Sequence, residues 1–105
     1  MGFFSNIFSS NTSTDQLEVL IKEGSFLVDV RTPAEFADGH VKSSTNIPLD
    51  QIENHLNAFK GKKHIVVFCR SGNRSAQAKS ILEKNGFSNV TNGGTWQDIN
   101  DITNG

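Results

Sequence analysis

The chain has 105 residues and a formal net charge of -1. This length suits one compact domain, and the balanced charge argues against a nucleic-acid partner. A single cysteine excludes an internal disulfide and a thiolate-rich metal site. The three histidines form no metal cluster, and we expect neither a metal nor a cofactor. A free thiol without a signal-peptide pattern predicts a cytoplasmic protein.

We divide the chain into a lead segment, residues 1–12, and one domain, residues 13–105. The lead segment is too short and too interrupted for a membrane span or a secretory signal. Its apolar residues have the spacing of one helical face, which favours packing on the domain's own core over a partner or membrane surface. These residues are Phe3, Phe4, Ile7 and Phe8.

The first half of the domain predicts two helices around a buried strand. Ser13 and Gln16 have the spacing of a capping box, and the apolar stripe that follows ends at Gly24. The apolar run 26–30 is typical of a strand buried on both faces. Residues 32–39 then start with a threonine cap, a proline and a glutamate, and predict a second helix.

The second half predicts further strands and helices in alternation. A brief strand at 45–47 precedes an amphipathic helix that starts at 50 and ends at Gly61. The apolar run 65–68 predicts the clearest buried strand, with Cys69 at its carboxyl end. A helix ending before Gly86 follows.

The last elements predicted are short. Val90 lies in a final strand, and Asn92-Gly93-Gly94 predicts a turn after it. Thr95 is then placed to cap a final helix.

Strands that alternate with helices predict an α/β fold, with a small central, mostly parallel sheet and helices on both faces. Ligands bind such sheets beyond the carboxyl ends of the strands. Cys69 follows one strand and residues 29–31 end another. The sequence therefore predicts a functional site at this edge.

The residues after Cys69 are suited to an anion. Arg70 and Arg74 supply positive charge, the next helix points its amino end at the loop, and Gly72 lets backbone amides turn inward. All three features predict a lowered pKa for the thiol. The alternative is that Cys69 is only a small buried hydrophobic residue at the end of a strand. The polar residues after Cys69 instead favour a place at the surface rim and a reactive role.

Several motifs in order resemble a single-domain rhodanese-like sulfurtransferase, over roughly residues 15–102. The resemblance implies that Cys69 takes sulfur from a thiosulfate-like donor as a persulfide and passes it to cyanide, a thiol or a protein. The motifs that carry it are Leu27-Val28-Asp29-Val30-Arg31, Glu35-Phe36, Gly39-His40-Val41, Asn46-Ile47-Pro48, Cys69-Arg70-Ser71-Gly72-Asn73-Arg74-Ser75 and Asn92-Gly93-Gly94.

Roles follow for the residues of the cysteine loop. We expect Cys69 to be the nucleophile and Arg70 and Arg74 to bind the donor's oxygens. The amides of the loop stabilise the sulfur anions. The anion-binding loop comprises Arg70, Ser71, Gly72, Asn73, Arg74 and Ser75.

Four further residues support the loop. Asp29, Arg31 and Glu35 are interpreted as an ion-pair and cap network, with substrate contact as the alternative. His40 is interpreted as a structural hydrogen-bonding residue, because a persulfide-forming thiolate needs no general base.

Two other functions compete with sulfur transfer. A persulfide carrier or binding module would use the same loop with little turnover of thiosulfate. A cysteine phosphatase or arsenate reductase would also place an oxyanion over a thiolate, but Cys69 and Arg74 make C-x4-R, one residue shorter than the usual phosphatase loop. The sequence leaves the oligomeric state open.

Overall fold

The computed structural model describes residues 13–104. Helices and strands alternate along this part of the chain. The elements are α1 (Thr14–Lys22), β1 (Phe26–Asp29), α2 (Pro33–Asp38), β2 (Thr45–Asn46), a 3₁₀ helix (Leu49–Phe59), β3 (Ile65–Cys69), α3 (Asn73–Lys84), β4 (Val90–Thr95) and α4 (Trp96–Asn104).

The four strands form one parallel sheet in the order β2-β1-β3-β4. The predicted α/β class and parallel sheet are confirmed. β3 is central, and Val28 of β1 lies opposite Val67. Because all four strands run the same way, their carboxyl ends share one edge, where β3 ends in Cys69 and β1 ends in Asp29.

The core has two layers, one on each face of the sheet. Successive residues of β3 point to opposite faces, as strand geometry requires. One cluster packs with the 3₁₀ helix and α3, and includes Ile65, Val67, Cys69, Phe59, Ala78 and Leu82. The other packs with α1 and α4, and includes Val66, Phe68, Leu17, Val41 and Ile99.

Helix starts and ends follow the predicted signals. Ser13 and Thr32 both form capping boxes, each with the side chain three residues later. α3 ends before Gly86, whose φ of 95° is in the left-handed region. The Phe87 amide there donates to the carbonyl of Leu82.

The amphipathic helix predicted from residue 50 to Gly61 is present, but it is not an α-helix. The segment is a 3₁₀ helix, interrupted at His55 by non-helical angles (φ -128°, ψ 30°). Its buried anchors are Ile52 and Phe59. The apolar spacing of so short a stretch does not separate three residues per turn from 3.6, so packing of these anchors decides the geometry.

The predicted turn at Asn92-Gly93-Gly94 is also wrong, because all three residues lie inside β4. Val67 pairs with Asn92 and Phe68 with Gly94, so Gly93 is the extra residue of a β-bulge. A Cβ on Gly93 would lie 2.8 Å from Val66 Cγ1, and Gly94 has a φ of 83°. The two glycines therefore serve a bulge and not a chain reversal.

The apolar face predicted for residues 1–12 lies outside the described residues. Within residues 13–104, no helix is both long enough and apolar enough to cross a bilayer.

Candidate functional site

The Cys69 loop lies between the end of β3 and the start of α3. Cys69 pairs with Thr95 of β4 in the sheet register, so the loop leaves from the middle of the carboxyl edge. Gly72 precedes α3 with a φ of 92°. A Cβ there would lie 3.5 Å from Gly94 Cα and would be strained by the backbone angle, so glycine suits this position.

The sulfur of Cys69 is enclosed by hydrogen-bonding groups. The Gly72 amide donates to it over 3.0 Å, and Ser75 Oγ lies 3.5 Å away. Burial raises the pKa of Cys69, but the hydrogen bond with the Ser75 hydroxyl and those from the amides of Ser75, Ser71 and Gly72 outweigh burial. The pKa is therefore lowered from its ordinary value, which favours the thiolate.

Two expectations about Cys69 are corrected by this geometry. Cys69 does not lie at the surface rim: its exposed fraction is 0%. The loop turns back toward the sulfur instead of leading away from it. Hydrogen bonds, and not the charges of the two arginines, are the main causes of the lowered pKa.

Arg74 is bound to Glu35 on α2. Its two terminal nitrogens donate to the two carboxylate oxygens over 2.6 and 2.9 Å, in the bidentate arrangement that guanidinium favours. The Arg74 hydrogen bond is the largest cause that lowers the pKa of Glu35 to about 2. Glu35 raises the pKa of Arg74 in return. Glu35 also completes the capping box of α2, so one side chain links α2 to the loop.

Arg31 and Asp29 form a second bidentate pair at the end of β1. The Arg31 Nη2 atom lies 2.7 Å from Asp29 Oδ2, and both side chains are buried. Arg31 also donates to the carbonyl of Gly39 and lies 4.7 Å from the centre of the Trp96 ring. Asn46 donates to the carbonyls of both paired residues. These contacts fix the chain where β1 ends beside β3.

His40 contacts the end of α2. Its Nδ1 lies 2.7 Å from the Phe36 carbonyl oxygen, and its ring stacks on the Phe36 ring at 3.8 Å. These contacts are those of a residue that closes a helix end. Arg70, by comparison, is exposed, and within residues 13–104 it has no ion-pair partner.

Asn92 is a site residue whose side-chain role was not predicted from the sequence. It is buried in β4, its Oδ1 accepts from the Ser75 hydroxyl over 2.7 Å, and its Nδ2 donates to the Gly72 carbonyl over 3.2 Å. The available signal was its place in the Asn92-Gly93-Gly94 motif. Across residues 13–104, no three His, Cys, Asp or Glu residues converge in a way that would hold a metal ion.

A family model described as "Rhodanese-like domain" matches residues 13–95. Thiosulfate sulfurtransferase PspE of Escherichia coli is 35% identical over 74 residues, which cover 69% of this chain and 71% of PspE. The putative sulfur carrier protein YrkF of Bacillus subtilis is 33% identical over 66 residues, 63% of this chain and 36% of YrkF. For the first four curated relatives, the match spans between 52% and 71% of the relative's own length.

The fold also matches solved structures. The human single-domain sulfurtransferase TSTD1 superposes with a TM-score of 0.71 at 25% identity. That match covers 89% of this chain and 96% of TSTD1.

Proposed function

Because the chain belongs to the rhodanese-like domain family, we propose that it is a sulfurtransferase that carries sulfur on Cys69. The donor is thiosulfate or a similar anion, and the acceptor is cyanide, a thiol or a protein. One observation carries the proposal: the Cys69 sulfur receives the Gly72 amide hydrogen bond and has a lowered pKa. A thiolate held by backbone amides is suited to nucleophilic attack on sulfur.

The reaction has two displacement steps. The Cys69 thiolate attacks the donor's outer sulfur and forms a persulfide bond, while the donor's own S–S bond breaks and its electron pair leaves on sulfite. The acceptor then attacks the outer sulfur of the persulfide, and Cys69 departs as thiolate with the electron pair. No oxidant or reductant is consumed.

We assign donor binding first to Arg70. It is exposed beside Cys69, and no carboxylate within residues 13–104 pairs with it, so its guanidinium is free for the donor's oxygens. A role of Arg74 in donor binding stays a prediction, because Glu35 occupies both of its terminal nitrogens. The amides of Ser71, Gly72 and Ser75 support the sulfur anions.

Donor access requires a movement of the loop, because Cys69 has no exposed surface. The outer sulfur of a donor must approach Sγ along the side that the loop covers. We assign this opening to residues 70–72, the segment between β3 and α3. A free thiol used in this way also suits a reducing compartment such as the cytoplasm.

A persulfide carrier is the second candidate, favoured by the similarity to the putative sulfur carrier YrkF. A carrier needs the same persulfide and differs only in turnover. A phosphatase is disfavoured, since the Cys69–Arg74 loop is one residue short and its arginine is bound to Glu35.

The test is thiosulfate-to-cyanide transfer by the protein and by Cys69→Ser, with intact mass after donor treatment. We expect the wild type to gain one sulfur atom and form thiocyanate, and Cys69→Ser to do neither. Because the chain has one cysteine, a sulfur atom that the protein gains can be assigned to Cys69 without proteolytic digestion. Gain of sulfur without turnover would favour the carrier, and no gain would overturn both.

A matched pair of variants tests donor binding. Arg70→Ala is expected to raise KM for thiosulfate by about tenfold to a hundredfold, since one hydrogen bond to a charged group contributes about 1.5–3 kcal/mol. Lys84→Ala, which removes a cation from the far end of α3, is the control and should leave KM unchanged. Equal KM values for both variants would overturn the role of Arg70.

A further inference from the structure

The Asn92 amide is held in one orientation by its neighbours. Its Oδ1 accepts from the Gly94 amide over 3.0 Å, and its Nδ2 donates to the Gly72 carbonyl over 3.2 Å. A backbone amide only donates and a carbonyl only accepts, so a flipped side chain would lose both bonds. Oδ1 must therefore be the atom that faces Ser75.

This orientation determines where the Ser75 proton lies. Oδ1 is only an acceptor, so the Ser75 hydroxyl must donate its one proton to Asn92, over 2.7 Å. Ser75 Oγ then presents only lone pairs to Cys69 Sγ, 3.5 Å away. That contact suits a thiol, whose S–H donates to Oγ, and does not suit a thiolate.

When Cys69 ionises, the Ser75 hydroxyl can rotate and donate to the sulfur instead. Asn92 Oδ1 keeps the Gly94 amide as a donor, so the rotation leaves no buried polar atom of Asn92 without a partner. Ser75 and Asn92 are both buried, so bulk solvent does not reach this contact. The proton therefore has two alternative acceptors.

We propose that Asn92 is a positioning residue that competes with the Cys69 thiolate for the proton of the Ser75 hydroxyl. The effect of this competition on sulfur transfer rests on the proposed function, in which the thiolate is the nucleophile. Asn92 opposes ionisation by holding the proton, and it holds the loop in place through Gly72. β4 brings no charged group to this contact; the charged groups around Cys69 come from the other elements, and they are Arg70, Arg74, Glu35, Asp29 and Arg31.

The test measures Cys69 ionisation from thiolate ultraviolet absorbance as the pH is raised. The chain has one cysteine and no tyrosine, so no other side chain adds a comparable rise in absorbance on ionisation. The absorbance needs neither reagent access nor sulfur transfer. The ionisation midpoint can therefore be interpreted even if the protein does not transfer sulfur.

Ser75→Ala removes the proton that both groups compete for. We expect the ionisation midpoint of Cys69 to rise, with roughly tenfold less thiolate at any pH below both midpoints, as loss of one charge-assisted hydrogen bond predicts. Ser80→Ala, at an exposed position of the same helix, is the control. An unchanged or lower midpoint in Ser75→Ala would overturn the proposal.

Asn92→Ala separates competition from a merely structural role. Competition predicts a lower midpoint, because Ser75 then has only the sulfur as acceptor, whereas loosening of the loop predicts a higher one. In the Ser75→Ala background, Asn92→Ala should no longer lower the midpoint. An equal effect in both backgrounds would overturn the proposal. If Asn92→Ala does not fold, the Ser75→Ala midpoint still tests the proposal, because a midpoint that does not rise would overturn it.

Discussion

Two arginine–carboxylate pairs flank the Cys69 loop, and they differ in burial and in the separation of the two residues along the chain. In the Asp29–Arg31 pair the side chains are 0% and 4% exposed, and the residues are two positions apart. In the Glu35–Arg74 pair they are 27% and 32% exposed, and the residues are 39 positions apart. The first pair closes the end of one strand, whereas the second joins α2 to the first turn of α3.

This difference assigns the two pairs different roles, one in the stability of the fold and one in the position of the Cys69 loop. A buried pair gives little net stability over an apolar pair, but loss of one partner leaves a buried charge. A partly exposed pair is screened by solvent and contributes about 0–1 kcal/mol. We therefore expect Asp29–Arg31 to matter most for folding, and Glu35–Arg74 to matter most for how firmly the loop covers the sulfur.

Asp29→Asn is expected to have the largest effect. It keeps the shape of the side chain but leaves the Arg31 charge buried without its partner, at a cost of about 3–5 kcal/mol. For a domain of this size, the midpoint of thermal unfolding should fall by roughly 10 °C or more. Circular dichroism at neutral pH measures the change.

The double variant Asp29→Asn, Arg31→Met is the control for this effect. Removing the unpaired charge should recover part of the loss, even though the contacts of Arg31 with Gly39 and Trp96 are also lost. A single variant that unfolds within a degree or two of the wild type would contradict the assigned role of the buried pair.

Glu35→Gln should have a smaller effect on stability but a distinct effect on Cys69. Glutamine can still complete the capping box of α2, so the substitution removes the negative charge that faces Arg74 and one of the two oxygens that accept from it. With Arg74 less firmly held, alkylation of Cys69 should become several-fold faster, most clearly with a bulky reagent. The rate is measured by mass for small and bulky reagents.

Glu83→Gln is the matched control for that experiment. It removes the same charge from an exposed pair with Lys79, whose atoms lie 3.8 Å apart on the same helix as Arg74. We expect no change in the alkylation rate. If the two glutamine variants behave alike, the Glu35–Arg74 pair does not hold the loop over the sulfur.

The smallest expected effect is the dependence of the Glu35–Arg74 pair on acid. The pKa of Glu35 falls from 4.5 to about 2 in the folded protein, chiefly through the Arg74 hydrogen bond. Because the folded pKa is the lower one, the pair's stabilisation is fully present above about pH 4.5 and is lost as the pH falls toward 2. Unfolding midpoints of wild type and Glu35→Gln should therefore converge over this range, and a constant difference would contradict the assignment.

The sequence predicted those parts of the fold that depend on near neighbours. The capping boxes at Ser13 and Thr32 and the left-handed glycine after α3 are each complete within a few residues. The buried strand before Cys69 is evident from its apolar run, and the parallel order of strands and helices places its end at the functional edge. These signals need no knowledge of tertiary packing.

The remaining features depend on contacts across the chain. Ser75 and Asn92 are 17 positions apart, and no spacing rule connects a helix residue to a strand residue at that distance. Burial of Cys69 was missed because a polar loop has the same composition whether it leaves a side chain or covers it. The same limit explains the 3₁₀ helix, whose geometry follows from what Ile52 and Phe59 pack against.

The bulge in β4 lets one strand meet two separate demands. Up to Asn92 the strand keeps the register that carries an amide side chain to the Cys69 loop. The additional residue, Gly93, then resets the alternation of faces, so that Thr95 caps α4 and Ile99 enters the opposite layer of the core. A shortened strand without Gly93 would have to give up one of these placements, because a shift by one residue exchanges the faces of every side chain beyond it.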